Sequence, residues 1–484
     1  MPGPPNSIAV SRDSLTALAE QADTPAYDRD ALRRSIIHIG VGGFHRAHLA
    51  TYIDDLARQG ETDWAIVGSG VLDGDRRMAE VLTAQDHLYT LISRSAASAD
   101  LTVIGSIVDY VLAVDEPDAL IERIADPDVQ IVSLTITEGG YPVDDESGVF
   151  VPERSPTGGP FDLLVRGLDA RRRGSGRPLT VMSCDNVMEN GHIARTATNG
   201  QAARISQDLV AWIEGHVSFP SSMVDRITPA TTPADVEWLE RTRGVRDAWP
   251  VVAEPFRQWV VEDRFAGDRL PLERLDVIVT DDIAPYELTK LRLLNAGHSC
   301  LAYLAALEGH ERVDEAMADP DLAPFVERLL RAEAAPTLPI ATGIDIDEYI
   351  SQLLARFANP GVGDQIARLC LDGSAKFPKF LLPTIRSRMQ VEGPVDHAAL
   401  ALAGWCEYLR TAPSPAPDPL LDEACDHARR SADDPVTFLS FDAVFDNTLG
   451  PDSPFATPFV DALLSIRTRG VQSSLRRIAH ETQE

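Results

Sequence analysis

Lys290, Asn295 and His298 stand in the pattern K-x4-N-x2-H, with Glu287 three positions earlier. Proton transfer and hydrogen bonding are the chemistry such groups can do. They lie in PYELTKLRLLNAGHSCLAYLAALEG, residues 285–309, which reads as one long helix. Pro285 suits the first turn, where a missing N–H costs nothing, and Gly309 suits the position just past the end. Apolar residues recur between them at helical spacing. At about 100° per residue, Glu287, Lys290, Asn295 and His298 fall within a wedge of roughly 140°. Leu291, Leu294, Leu301 and Ala302 share that wedge, so the face is expected to be buried. A lysine, an imidazole and an amide on a buried face are costly unless they are paired or used. Singly, each has an ordinary reading: a lysine with its charge in water, a histidine satisfied in the core. The joint pattern is what calls for a function.

Such a helix needs a scaffold, and the chain is long enough for two domains. It has 484 residues, 44% of them hydrophobic and 24% charged. Lys+Arg number 44 against 74 Asp+Glu, a formal charge of −30. A surface that acidic repels nucleic acid and anionic membranes, so neither is an expected partner. No apolar run approaches a membrane span. MPGPPNSIAVSRDS has no basic segment followed by an apolar one, so no secretory signal is expected. The five cysteines are scattered and none forms C-x2-C, which suits a reducing cytoplasm rather than disulfides or structural zinc.

After a polar lead-in, Ile36 to Ile39 reads as a strand, followed by the turn Gly40, Gly42, Gly43 and a helix. Strand, glycine turn and helix begin a dinucleotide-binding unit, in which backbone amides and a helix start hold a pyrophosphate. The G-x-G-x-x-G fingerprint is incomplete, because His45 stands at the third glycine position. His45, Arg46 and His48 either surround the phosphates or pack locally. Trp64 to Gly70 reads as the second strand. A carboxylate after it would bind the adenosine ribose, and Asp73 and Asp75 are the candidates. Arg76 and Arg77 follow and could instead hold a 2′-phosphate. Further strands are expected at 88–92, 102–105, 130–135 and 179–183, with helical patterns separating several of them. This alternation predicts a mostly parallel, doubly wound sheet. Two loops, TITEGGY (135–141) and SCDNVMENG (183–191), follow strands of that sheet and carry Glu138, Asn186 and the weaker candidate Asn190. Beyond Gly309 helices are expected at 312–318, 321–334, 347–357, 363–371, 397–410 and 420–431. DGSAKFPKF, 372–380, interrupts them as a loop.

Five separated motifs, GVGGFHRAH, TEGGY, SCDN, KLRLLNAGH and DGSAKFPKF, resemble those of the polyol-specific long-chain dehydrogenases, the mannitol dehydrogenase family. The resemblance runs from about Ile36 into the C-terminal region. It implies a Rossmann-like doubly wound α/β domain over 1–285 and a mostly α-helical substrate and catalytic domain over 286–484. It implies metal-independent, NAD-dependent oxidation of a sugar alcohol to a ketose. Lys290 would be the general base, which requires it to be partly neutral near pH 7–8, far below the ~10.4 of a free lysine. Asn186 and Asn295 would donate to the developing alkoxide, and His298 would orient a substrate hydroxyl. Glu287 would pass protons to solvent or only tune the lysine. Asp225, Arg368 and Lys376 are carried to the substrate, and Gly40, Gly42, Gly43, Phe44, Arg46, Asp75 and Glu138 to the cofactor. The ribose acid is placed at Asp75.

An Asp-Arg pair at 225–226 would look the same if it were only a structural salt bridge. The expected substrate is D-mannitol, giving D-fructose, because Asp225 suits a hydroxyl chain and repels a terminal carboxylate. D-Arabinitol oxidation and hexuronate (fructuronate or tagaturonate) reduction are alternatives within the family. A catalytically silent NAD-binding regulator is the alternative outside it. A monomer or small homo-oligomer is expected.

Overall fold

The computed structural model describes residues 7–144, 147–339 and 343–481, with the side chains of Glu138, His480 and Glu481 left aside. The chain divides into two compact units, one ending at Ala284 and the other beginning at Pro285. Among the described residues no helix is long and apolar enough to cross a membrane.

The first unit is built on six strands: β1 (Ile36–Ile39), β2 (Ile66–Gly70), β3 (Ile107–Leu112), β4 (Ile131–Leu134), β5 (Leu179–Ser183) and β6 (Val217–Ser218). Their order is β3-β2-β1-β4-β5-β6, and every pairing is parallel. All of β1 is buried, as expected of a parallel strand covered on both faces. Alternate residues feed two cores. Ile36, Ile66 and Ile131 enter one, while Ile37, Ile39, Val67 and Val132 enter the other. This is the doubly wound, Rossmann-like sheet expected from the sequence. The chain leaves β1 on one side and returns on the other, so the order reverses between β1 and β4. The carboxyl ends flanking that reversal are where such sheets bind ligands.

Two strand expectations need correction. Tyr89–Arg94 and Ala99–Ile104 do not join the main sheet. They pair antiparallel with each other, and Val251–Ala253 adds in parallel to the first. A short apolar run reports a buried strand but not which sheet receives it. The strand that belongs in the main sheet is β3, whose half-buried VDY segment weakens the apolar signal. A further sheet is formed by β7 (Ser222–Asp225), β8 (Gln258–Glu262) and β9 (Ile278–Thr280).

The second unit is helical among its described residues, apart from one isolated bridge between Arg312 and Gln365. Its central helix runs through Ala284–Thr289, Lys290–Asn295 and Ala296–Leu307, and Gly309 follows with φ +84°. The helix Asp396–Thr411 packs closely on it: a Cβ on Gly404 would lie 2.6 Å from Leu304 Cδ2. Of the other expected helices, 363–371 shrinks to Ile366–Leu369. The expected loop at 372–380 is instead a helix, Gly373–Phe380, which starts after Asp372 at φ 56°. Gly373, Ser374 and Pro378 suggest a loop, but Phe377 and Phe380 bury an apolar face that outweighs the one hydrogen bond Pro378 removes. Ala456–Arg469 and Val471–Glu481 close the chain.

Candidate active site

In the first unit, three motifs meet at the carboxyl end of the sheet. Gly40 leaves β1 at φ +95°, and a Cβ there would sit 2.1 Å from the Thr135 carbonyl oxygen. Only glycine satisfies both conditions. Thr135 Oγ1 donates to Gly40 O at 2.7 Å, tying the glycine turn to the end of β4. Gly42 and Gly43 differ from Gly40. A Cβ on Gly42 would meet only Gly40 O at 3.9 Å, and one on Gly43 only Thr228 at 3.8 Å. Protein therefore leaves room beside them. The helix Gly43–Ala47 follows, with Phe44 stacked on His48 at 5.0 Å.

The basic residues of this turn face the core. His45 stacks on His38 of β1, centroids 3.4 Å apart, so a pair of rings fills the contact that a third glycine would make. His38 bonds Ser133 and Thr135 at 2.8 Å each. His48 meets Gln258 O at 2.9 Å. The Arg46 guanidinium lies against the Tyr89 and Trp249 rings and donates to Trp249 O at 2.5 Å. Its described contacts are thus with the interior.

The candidates after β2 separate cleanly. Asp73 is exposed and paired with Arg76, which also forks onto Asp115. Arg77 lies over the Trp249 ring. Asp75 is half-buried, and its Oδ2 accepts from the N–H groups of Val71 (2.8 Å) and Leu72 (2.9 Å). The Glu138 side chain lies outside the described residues; its backbone begins a short 3-10 turn, Glu138–Gly140. Asn186 is exposed just past β5. Asn190 is a buried clamp: its amide donates to Asp185 O and Ser222 O and accepts from Ser222 N. Asp225 is buried on β7 opposite Gln258, while Arg226 bonds the carbonyls of Glu254 and Ala47.

In the second unit, Glu287, Lys290 and His298 are buried, Lys290 to 8% exposure, and Asn295 is half-buried. The central helix is not α-helical throughout. Lys290–Asn295 is a π-helical turn, a rare element found often at functional sites. On an α-helical wheel Lys290 and Asn295 mark opposite edges of the wedge. With i→i+5 bonding the turn holds more residues than an α-helical one, so Lys290 and Asn295 stand closer in angle than the α-helical wheel places them. The hydroxyls of Thr289 and Ser299 donate to the carbonyls of Pro285 and Asn295 on either side of it. Asn295 Nδ2 is buried and has no hydrogen-bond partner among the described residues. His298 stacks on Phe357 at 4.0 Å. Arg368 forks onto buried Asp364 at 2.5 and 2.7 Å, and Lys376 Nζ donates to Leu369 O at 3.2 Å.

Residues 34–274 match the mannitol dehydrogenase Rossmann domain, and residues 282–467 match the mannitol dehydrogenase C-terminal domain. A mannitol 2-dehydrogenase of Neosartorya fischeri is 40% identical over 93% of this chain and 94% of its own. The chain belongs to the mannitol dehydrogenase family. Among solved structures, a mannitol 2-dehydrogenase of Pseudomonas fluorescens, in ternary complex with NAD and D-mannitol, superposes with a TM-score of 0.88. It is 39% identical, over 98% of this chain and 100% of that one. A substrate-free D-sorbitol dehydrogenase superposes with a TM-score of 0.87 at 34% identity, over 96% of this chain and 100% of that one.

Several residues of this mannitol dehydrogenase family member escape a reading of motifs. Asp185 accepts from Ile136 N (3.0 Å), Thr137 N (2.8 Å) and the Tyr141 hydroxyl (2.6 Å). It therefore fixes the TEGGY loop while standing next to Asn186. Burial raises its carboxyl above the ordinary value, opposed by the Tyr141 and backbone bonds. In the second unit, burial alone would raise Asp364. The bond and charge of Arg368, with His298 adding to them, hold it below the ordinary value instead. The signal available for Asp185 was its place inside SCDN. Phe357 and Asp364 carry no local signal, because they become relevant only once the helices fold against one another.

Proposed function

We propose that the protein is an NAD-dependent polyol dehydrogenase that interconverts D-mannitol and D-fructose, with Lys290 as general base and no metal in the reaction. The observation that carries this reading is the widened turn, which brings buried Lys290 closer in angle to an Asn295 amide whose N–H has no partner among the described residues. Oxidation of a secondary alcohol removes a hydroxyl proton and a carbon-bound hydride. NAD, when bound, accepts the hydride. Lys290 in its neutral form takes the proton. Asn295 Nδ2 donates to the carbinol oxygen as charge builds there, and Asn186 is assigned the second donation. His298, held flat against Phe357, orients a substrate hydroxyl. Glu287 is assigned the exchange of the proton with solvent.

The residues of the first unit fit NAD. Room beside Gly42 and Gly43 suits a pyrophosphate at the sheet's reversal point. Asp75 keeps one carboxylate oxygen for a ribose hydroxyl and would repel a 2′-phosphate. Arg76 is committed to two aspartates, which further favours NAD over NADP.

The substrate reading rests on charge. A uronate needs a cation for its carboxylate; of the two assigned to the substrate, the Arg368 charge is already met by buried Asp364, which leaves Lys376 alone for that role. Asp225 adds a second acid suited to hydroxyls. The mannitol and sorbitol dehydrogenases that superpose on this chain are both named for polyols, which supports the same class. The test compares kcat/KM for reduction of D-fructose and of fructuronate with NADH. D-Fructose is expected to be favoured at least ~10-fold, the scale set by one unpaired charged contact. A higher value for fructuronate would overturn the substrate but leave the lysine mechanism standing. No polyol-dependent NADH signal across a substrate panel would instead favour a silent NAD-binding regulator.

A further inference from the structure

Strand β2 ends in Gly68-Ser69-Gly70, and Gly68 pairs with Tyr110 on β3. A Cβ on Gly68 would come within 3.0 Å of the Tyr110 ring. One on Gly70 would come within 2.6 Å of the Tyr110 hydroxyl and 2.4 Å of Asp75 Cβ. The ring therefore lies across β2, and both glycines are needed to let it through. The phenol oxygen is carried to the carboxyl end of the strand, beside Asp75.

There it is buried and has no hydrogen-bond partner among the described residues. Buried hydroxyls are almost always bonded, so one aimed at a strand's carboxyl end calls for a ligand atom. Asp75 is in a matching state. Its Oδ2 is held by Val71 and Leu72, and its other oxygen carries no hydrogen bond among the described residues. Burial, and then the Asp75 charge, hold the Tyr110 phenol above its ordinary value, so it stays a neutral donor. The end of the second strand is where a sheet of this topology reads the adenosine ribose.

Resting on the reading of the protein as an NAD enzyme, we propose that Tyr110 is a second selectivity residue for the adenosine ribose. Its hydroxyl donates to a ribose oxygen while the remaining oxygen of Asp75 accepts from the same sugar. The two groups thus read a free diol from both sides, and a 2′-phosphate would have to displace the first and face the second.

The test is Tyr110→Phe in the full chain, with NADH, NADPH and ADP-ribose titrated into the protein. Loss of one neutral hydrogen bond should raise the Kd for NADH and ADP-ribose about 3- to 10-fold. The effect should appear in KM for NAD rather than in kcat, the NADH-over-NADPH preference should narrow, and the thermal midpoint should hold or rise. Unchanged ADP-ribose affinity in folded Tyr110→Phe would overturn the proposal. A lowered thermal midpoint with affinity intact would overturn it too, because it would mark the hydroxyl as structural. Should Tyr110→Phe fail to fold, Asp75→Asn titrated with the same ligands decides: equal NADH and ADP-ribose affinity to wild type would overturn the shared ribose site. Wild-type protein that binds neither NADH nor ADP-ribose would sink the cofactor reading itself.

Discussion

The glycine turn of the first unit and the widened turn of the second both gather polar side chains that a sequence reader would call functional. They are built in opposite ways. Around the glycine turn, His38, His48 and Arg46 each make at least one bond to the protein, while His45, with neither ring nitrogen bonded among the described residues, is stacked on His38. What the turn offers a ligand is space, beside Gly42 and Gly43. On the central helix the backbone itself is distorted, and a side-chain donor on Asn295 has no partner among the described residues. On the proposed reading, one region is a cradle whose side chains make the walls, and the other presents the side chains that do the chemistry. Chemical type alone does not distinguish the two; the backbone does, a tight glycine turn in one and a π-helical turn in the other.

The contrast can be broken most forcefully at Asn295. Asn295→Ala is expected to lower kcat for polyol oxidation about 10²- to 10³-fold, the scale for removing one donor to a developing oxyanion. Because Nδ2 has no partner among the described residues, the thermal midpoint should stay within about 2 °C of wild type. A large loss of stability would show that the amide is scaffold.

The next effect is on the cradle. Gly40→Ala forces a side chain into φ +95° and onto the Thr135 carbonyl, at a cost of about 3 kcal/mol or more. Gly42→Ala meets no such obstacle, so it should fold normally and lose NADH affinity instead. Denaturant unfolding paired with NADH titration checks both. Equal destabilisation of the two variants would remove the distinction between wall and space.

The smallest effect is acid lability. Burial pushes His38 down to about 3 and His45 well below its ordinary value, so both are neutral in the fold. The unfolded chain takes up those protons as pH falls below ~6.5. The stability held by neutral burial is therefore complete above that pH and is lost progressively toward pH 3, by up to about 1.4 kcal/mol per histidine per pH unit. His45→Phe should flatten the fall in thermal midpoint between pH 6.5 and pH 5. An unchanged slope would mean that His45 does not stay neutral in the folded protein.

Much of the first unit can be read from its sequence, because strand, glycine turn and carboxyl-end loops are local patterns. The allocation of Tyr89–Arg94 and Ala99–Ile104 to their own sheet is not local and was missed. The central helix was found from its ends and periodicity, yet its α-helical wheel set Lys290 and Asn295 far apart. No residue in KLRLLN announces a π turn. Within the turn, Arg292 donates to Thr337 O at 2.6 Å, a partner 45 positions away that a local reading cannot supply. The helix Gly373–Phe380 was misread for the reverse reason, since its glycine and proline are strong local signals that two buried phenylalanines override.

The central claim is that Lys290 is the proton acceptor. Its most direct test is steady-state oxidation of D-mannitol by Lys290→Ala alongside NADH titration of the same variant. The expected result is kcat reduced by at least ~10²-fold with the Kd for NADH essentially unchanged, and wild-type activity indifferent to EDTA. Full activity in Lys290→Ala, or wild-type activity that disappears with EDTA and returns with a metal, would contradict the account.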